Sequence, residues 1–386
     1  MRERQCGMLN GEWGDAPSGS RRAQSSPFPI PHSTLFNRKA VTLVELLITM
    51  VILAILAAAI LGTASAAMEA GRRARTQTMI TKINGLLMER WASYETRRVD
   101  INTALISTAN TSIADPKARG QAIADLRLLG IRELMKFEMP DRWSDILNAP
   151  INPTNPLATR PLAATILGEK PIPNSPPYSV SPPLRQQFYQ RFQNLSTDDI
   201  DVVQSNQGAE CLYMIVMFAT GDGEARTLFN SQEIGDTDED GAPEFLDGWG
   251  KPIQFIRWPA GFVSESGVMS GDASADHDPF DVYRRDLPTI TARPYQNAFG
   301  PAVKFAFDQM DLRHSRNIAA YRLTPLIYSI GPDEDADVTM SVGATTELDP
   351  YLNKYGLDED LQLGLVGDLE DDGEGWHDNI HNHVSN

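Results

Sequence analysis

The chain has 386 residues, with 34 Lys plus Arg against 51 Asp plus Glu, a formal charge of -17 and a mean hydropathy of -0.30. That length supplies ample material for a hydrophobic core, and the excess of carboxylates excludes a nucleic-acid binder, because phosphate contact needs a basic patch. The two cysteines, Cys6 and Cys211, allow at most one bridge, so a disulfide framework is excluded as well.

Residues 1–40 carry six basic and three acidic residues and a Ser/Pro-rich run from Ser18 to Ser33. This composition has no core and reads as a disordered leader peptide. From Val41 to Leu61, 21 residues contain a single charge, Glu45, and neither Pro nor Gly. As a helix rising about 1.5 Å per residue the segment spans roughly 30 Å, the thickness of a bilayer core, and 41–61 is predicted to be transmembrane. An ionised carboxylate in hydrocarbon costs on the order of 3 kcal/mol, and no basic residue of the segment can pair with Glu45. Cleavage just before Val41 would create an α-amino group at membrane depth, a counter-charge for Glu45 of a neighbouring subunit. The bland alternative is a Glu near the membrane surface that reaches the headgroups. A competing reading takes Arg38-Lys39 as the n-region of an ordinary signal peptide cleaved at Ala64-Ser65-Ala66; an h-region of about 7–15 residues without a central Glu argues against it.

Beyond Leu61 no Pro occurs until Pro116, and Met79, Ile83, Leu86, Leu87 and Trp91 recur at helical spacing. One long helix is predicted from Val41 to about Val99, its second half amphipathic and carrying the soluble body. Further helical patterns run from Asp115 to Asn148, broken at Pro140, then from Leu184 to Leu195 and from Thr197 to Thr220. Eleven prolines between Pro140 and Pro183 mark an irregular, surface-wrapping connection. Strand signals at Ile253–Trp258 and Leu326–Ile330 suggest a small antiparallel sheet. The expected class is α+β, organised as a leader (1–40), a long helix (41–99), a helical and Pro-rich insert (100–230) and an acidic, β-rich C-terminal domain (231–386).

Two acidic stretches suggest a cation. Asp236, Asp238, Asp240, Glu244 and Asp247 stand at positions 1, 3, 5, 9 and 12 around Gly241 at 6, the spacing of an EF-hand-type loop. Alternate carboxylates on a Gly turn let several hard oxygens converge on one Ca²⁺, although Asp at position 12 shortens the reach of the usual Glu. A solvated acidic turn is the plain alternative. The second stretch, Asp333 to Asp378, has fifteen acidic residues and one Lys, a composition that is usually solvated. His377, His381 and His383 have the spacing of a transition-metal cluster, but nothing fixes their geometry and a flexible polar tail is the expectation.

The string Lys39-Ala40-Val41-Thr42-Leu43-Val44-Glu45-Leu46-Leu47 closely resembles the prepilin cleavage and methylation motif of type IV pilins and type II secretion pseudopilins. In that family the scissile bond follows a small residue, usually Gly, the mature chain usually begins with Phe and Glu is fifth; here Ala40, Val41 and Glu45 occupy those places. The resemblance implies cleavage and N-methylation at Ala40–Val41 by prepilin peptidase, a single-pass inner-membrane position with a periplasmic C-terminal domain, and filament assembly through Glu45 with other pilin or pseudopilin subunits. A second, more moderate resemblance covers the calcium-binding end of major pseudopilins. Asp247-Gly-Trp249-Gly-Lys-Pro252, Tyr328-Ser-Ile-Gly331-Pro-Asp333 and Gly373-Glu-Gly375-Trp-His-Asp378 follow one another in the family's order, though more widely spaced. It implies Asp333, Asp335 and Asp337 as ligands, with Asp378 a further candidate.

No G-x-S-x-G, H-E-x-x-H, Walker A or dinucleotide fingerprint occurs, and no carboxylate pair is singled out for catalysis, so the expectation is not an enzyme. The function expected is that of a pilin-like or pseudopilin structural subunit for protein export or a surface filament. The rival is an exported or membrane-anchored calcium-dependent binding protein, adhesin-like, that shares only the export signal.

Overall fold

The computed structural model describes residues 41–147, 182–195, 200–219, 225–262, 264, 267–287, 289–290, 292–315, 319–333, 335–336, 338–340, 349–351, 363–366 and 378–383. The leader, most of the Pro-rich connection, Asp337 and His377 lie outside them. The chain divides into two compact units, one ending at Leu61 and the other running from Gly62 to Asn386.

Helix α1 runs Leu43–Thr96, matching the predicted long helix to within three residues at either end. Thr42 and Glu45 start it as a capping box. The Thr42 hydroxyl accepts from the Glu45 amide (3.2 Å) while the Glu45 carboxylate accepts from the Thr42 amide (3.3 Å), satisfying two of the donors that a helix start leaves open. Val41 to Leu61 is exposed throughout, a long apolar surface with nothing described against it. In the second unit the helix changes character: Thr76, Met79, Ile80, Ile83, Leu87, Trp91 and Tyr94 form a buried stripe at spacings of three and four. That stripe is part of a hydrophobic core that takes in residues from each of the later α-helices and from the strands of both sheets.

The body's helices follow with local signals. In α2 (Thr103–Ser112) the Asn102 side chain accepts from the Ala104 amide, and in α3 (Pro116–Glu138) Asp115 accepts from the Lys117 and Ala118 amides with Pro at the first turn. Then come α4 (Trp143–Leu147), α5 (Pro183–Phe192), α6 (Ile200–Ser205), α7 (Gln207–Met214), which continues into a π-helical turn Ile215–Ala219, and α8 (Ala225–Leu228). Helix α9 (Pro301–Ser315) was not anticipated by the sequence pattern.

Strands are short. A two-stranded hairpin pairs β1 (Ile234–Gly235) with β2 (Glu244–Phe245), and a three-stranded antiparallel sheet orders β3 (Gln254–Ile256), β4 (Leu326–Ser329) and β5 (Ile380–His381), with Phe255 opposite Ile327 and Tyr328 opposite His381. β3 and β4 are the two predicted strands. β5 corrects the expectation of a flexible histidine tail. His381 is paired in the sheet, His383 is buried with Nε2 3.0 Å from the Pro325 carbonyl, and both rings meet Phe262 edge-on. Burial, then the neighbouring His383, lowers the His381 pKa to about 4.

Helix α3 is held by buried charges as well as by its apolar residues, among them Leu126, Leu129 and Met135. Asp125 accepts from Arg285 (2.7 Å), Arg293 (2.9 Å) and the Tyr295 hydroxyl, and Arg132 reaches Asp278 (2.8 Å) and Asp286 (2.5 Å). At its end Glu138 is clasped by α1, accepting from Arg90 (2.8 Å), Tyr94 (2.8 Å) and both Arg97 terminal nitrogens (2.5 and 2.7 Å). Buried ions are tolerated only when paired and hydrogen-bonded in this way.

Candidate functional site

Two regions carry the residues that the sequence singles out. At the start of the described chain Val41 is exposed, and Glu45 sits in the first turn of α1 as the partner of Thr42. Ala40 lies outside the described residues. Among the described residues α1 is the one helix long and apolar enough to cross a membrane.

The second region is the loop between β1 and β2. The hairpin closes it: Ile234 faces Phe245 and Gly235 faces Glu244, so Asp236 to Pro243 must turn back on themselves. Two residues take left-handed backbone angles in that turn, Glu239 (φ +60°) and Gly241 (φ +98°), the region glycine adopts at little cost. Asp236, Asp238 and Asp240 offer oxygens that all lie within 4.8 Å of one another, and so do Asp238, Glu244 and Glu210. Glu210 comes from α7, outside the loop. That helix is brought close because Gly208 lets it lie on β3; a Cβ there would stand 2.9 Å from the Phe255 carbonyl oxygen.

Each carboxylate is steered by donors. Glu244 accepts from the Thr237 amide (3.1 Å), Asp236 from the Gly241 amide (3.0 Å) and Asp240 from the Ala242 amide (2.7 Å). Asp238 accepts from the Ser205 hydroxyl (2.9 Å) and the Asn206 amide group (3.2 Å), and Glu210 from the Trp143 indole N–H. One oxygen each of Glu210, Asp238 and Asp240 is buried without any hydrogen-bond partner. Among the described residues no Lys or Arg pairs with these five acids. Burial first, then the surrounding carboxylates, pushes the Glu210 pKa up to about 10 and Glu244 to about 8; burial drives Asp240 to about 6 against the Ala242 amide. Glu210 was missed in the sequence. Its signal is an acidic residue heading the apolar run Cys211–Phe218 in a stretch, 200–219, without a single Lys or Arg.

Asp247, expected at position 12 of the loop, is used elsewhere. Its Oδ1 accepts from the amides of Trp249 (2.8 Å) and Lys251 (2.9 Å), and its Oδ2 from the Ser329 hydroxyl of β4 (2.6 Å). It organises the Asp-Gly-Trp-Gly turn and ties it to the sheet. The turn then docks on α1: the Gly248 amide donates to Thr76 (2.8 Å) and the Trp249 indole to Glu69 (3.3 Å).

Of the C-terminal acids, Asp333 and Asp378 come together. Burial, then the nearby Asp333 carboxylate, raises the Asp378 pKa, and the Asp378 Oδ2 packs where a Cβ of Gly331 (φ +73°) would be. Asp335 is exposed, its amide donating to Asp333 (3.1 Å), and Asp337 lies outside the described residues.

Residues 35–61 match the family model of the prokaryotic N-terminal methylation motif. Comparison of the chain with curated proteins and with solved structures returned no match. The motif together with the long apolar helix behind it fits a precursor of the type IV pilin or pseudopilin kind.

Proposed function

We propose that the protein is a filament subunit of a type II secretion or type IV pilus-like system, and that its role is mechanical rather than catalytic. Prepilin peptidase cleaves between Ala40 and Val41 and methylates the new amine. The apolar half of α1 holds the subunit in the inner membrane, with the acidic body on the periplasmic side, until extraction packs it against the same segment of other subunits. The observation that carries this reading is the methylation motif at 35–61 leading directly into a helix whose apolar start is wholly exposed. A lone apolar helix anchors, whereas one bearing Glu45 beside a newly made amine can also recognise its own kind, since pairing the two charges removes the cost of each in hydrocarbon.

Mass spectrometry of the protein from its native membrane tests the first step, with an N-methylated chain starting at Val41 expected. Cysteine crosslinks between α1 segments of neighbouring copies test the second; they should form in the wild type and be lost in Glu45→Ala. A mature chain starting near Ala67 would sink the reading. A Val41 start with no crosslinks in the wild type would leave a membrane-anchored binding protein.

A further inference from the structure

We infer that Glu210 of α7 joins Asp236, Asp238, Asp240 and Glu244 of the β1–β2 loop in a divalent-cation site of calcium type, which fastens the helical part of the body to the hairpin. An exposed acidic loop alone would be unremarkable. What distinguishes this one is Glu210: its relative exposure is 0%, one of its oxygens has no hydrogen-bond partner, and it presents an oxygen within 4.8 Å of those of Asp238 and Glu244. Asp240, 2% exposed, likewise keeps one oxygen unpartnered. A buried ionised carboxylate is costly unless a positive charge or a metal compensates it, and among the described residues no side-chain cation pairs with any of the five.

The geometry also selects the kind of ion. All five donors are carboxylates, which suit a hard cation, and softer metals that favour imidazole or thiolate find neither here. Two ligands on opposite sides of Ca²⁺ are separated by at most about twice its 2.3–2.6 Å bond length, roughly 5 Å; the three oxygens of each group, within 4.8 Å of one another, therefore fit one coordination sphere. Asp238 belongs to both groups and is the hub. The donors from Ser205, Asn206, Gly241 and Ala242 orient one oxygen of Asp236, Asp238 and Asp240, and Thr237 reaches both oxygens of Glu244, the outer-shell support that built metal sites show. Residues 205 and 206 also come from the α6–α7 side, so helix and hairpin meet at the cation from both directions.

This site does not depend on filament assembly, and its test does not either. The full chain is purified in detergent, stripped with EDTA and titrated with Tb³⁺ as a luminescent stand-in for Ca²⁺. Trp143, hydrogen-bonded to Glu210, is the sensitising donor. Tryptophan-sensitised Tb³⁺ emission should appear, be displaced by Ca²⁺, and fall several-fold in Trp143→Phe. Calcium should raise the thermal midpoint of the wild type. Glu210→Gln, which keeps the side chain's size and a hydrogen-bonding oxygen, should weaken Ca²⁺ at least about tenfold by calorimetry, whereas Asp335→Asn should bind as the wild type. Absence of both sensitised emission and a calcium-induced thermal shift in the wild type would overturn the proposal. So would wild-type affinity in a folded Glu210→Gln, or loss of binding in Asp335→Asn alone.

Discussion

Replacing Gly248 by Ala tests how the Asp-Gly-Trp-Gly turn is seated on α1. A Cβ at position 248 would lie 2.5 Å from the carbonyl oxygen of Arg72, 2.8 Å from its Cα and 2.9 Å from its carbonyl carbon. These are backbone atoms in the middle of a helix, so no side chain can swing aside. The turn must retreat, and retreat stretches the 2.8 Å bond from the Gly248 amide to Thr76. Overpacking typically costs about 1–3 kcal/mol and a lost hydrogen bond about 0.5–1.5 kcal/mol, so about 2–4 kcal/mol is expected together. For a unit of roughly 300 residues with an unfolding entropy of about 2.1 cal/mol/K per residue, each kcal/mol lowers the midpoint by about 1.5 °C. Gly248→Ala should therefore melt about 3–6 °C below the wild type by circular dichroism of the detergent-solubilised protein. Gly250→Ala is the internal control: its φ is +85° and nothing lies within 4 Å, leaving only the left-handed backbone cost of about 1–2 kcal/mol. A Gly248→Ala protein melting within about 1 °C of the wild type, or above Gly250→Ala, would refute the close approach.

Gly71 and Gly85 stand inside α1 with open space around them, and changing both to Ala should raise stability by about 0.5–1 kcal/mol each in chemical denaturation. Glu138→Gln strips the charge from the clasp of Arg90, Arg97 and Tyr94; because the arginine side chains keep 15% and 38% of their surface exposed and can be rehydrated, the loss should be about 1–3 kcal/mol, whereas an exposed pair such as Arg98–Asp100 should contribute under about 1 kcal/mol when cut by Asp100→Asn. The depressed pKa of His381 works on the acid side. Above its ordinary value of 6.5 the ring is neutral in both states, and between 6.5 and about 4 only the unfolded chain takes up the proton, so stability is lost as pH falls through that window. Partial exposure of the ring limits the loss to on the order of 1–2 kcal/mol, and unfolding midpoints measured across pH 4 to 7 should show a flatter profile in His381→Gln.

The parts of the fold that were legible in the sequence are those set by local signals. The apolar run without Pro, the stripe from Met79 to Trp91, and the β-branched pair of strands each announce themselves through period and composition. Helix α3 was visible as a helix, but its role was not. Its buried face carries Asp125, Arg132, Glu133, Lys136 and Glu138, which look like solvent residues until partners such as Arg285 and Arg293, some 160 positions away, are placed beside them. The same holds for the acidic loop. Its spacing pointed to Asp236, Asp238, Asp240 and Glu244, whereas Glu210 arrives from a helix 26 residues earlier in sequence than Asp236, and Asp247 fits the spacing while its oxygens serve a turn. The histidines mislead for a related reason, since a short polar C-terminal segment gives no hint that a strand edge and Phe262 are waiting for it.

The capping box at the head of α1 changes how the pairing of Glu45 should be thought of. In the isolated subunit the carboxylate is already engaged with the amide of Thr42, so a neighbour's amine does not rescue an idle charge; it competes for an occupied one. In the proposed filament, docking exchanges a 3.3 Å hydrogen bond from a neutral amide for an ion pair, so the charge pairing is gained net of that one bond. On the proposed reading the apolar residues of 43–61 also attract one another, with little preference for any one offset. What Glu45 adds is discrimination among those offsets. In such a filament a subunit seated at the wrong height would leave its amine without an acceptor while the carboxylate kept its bond to Thr42, so the larger penalty would fall on the misaligned newcomer.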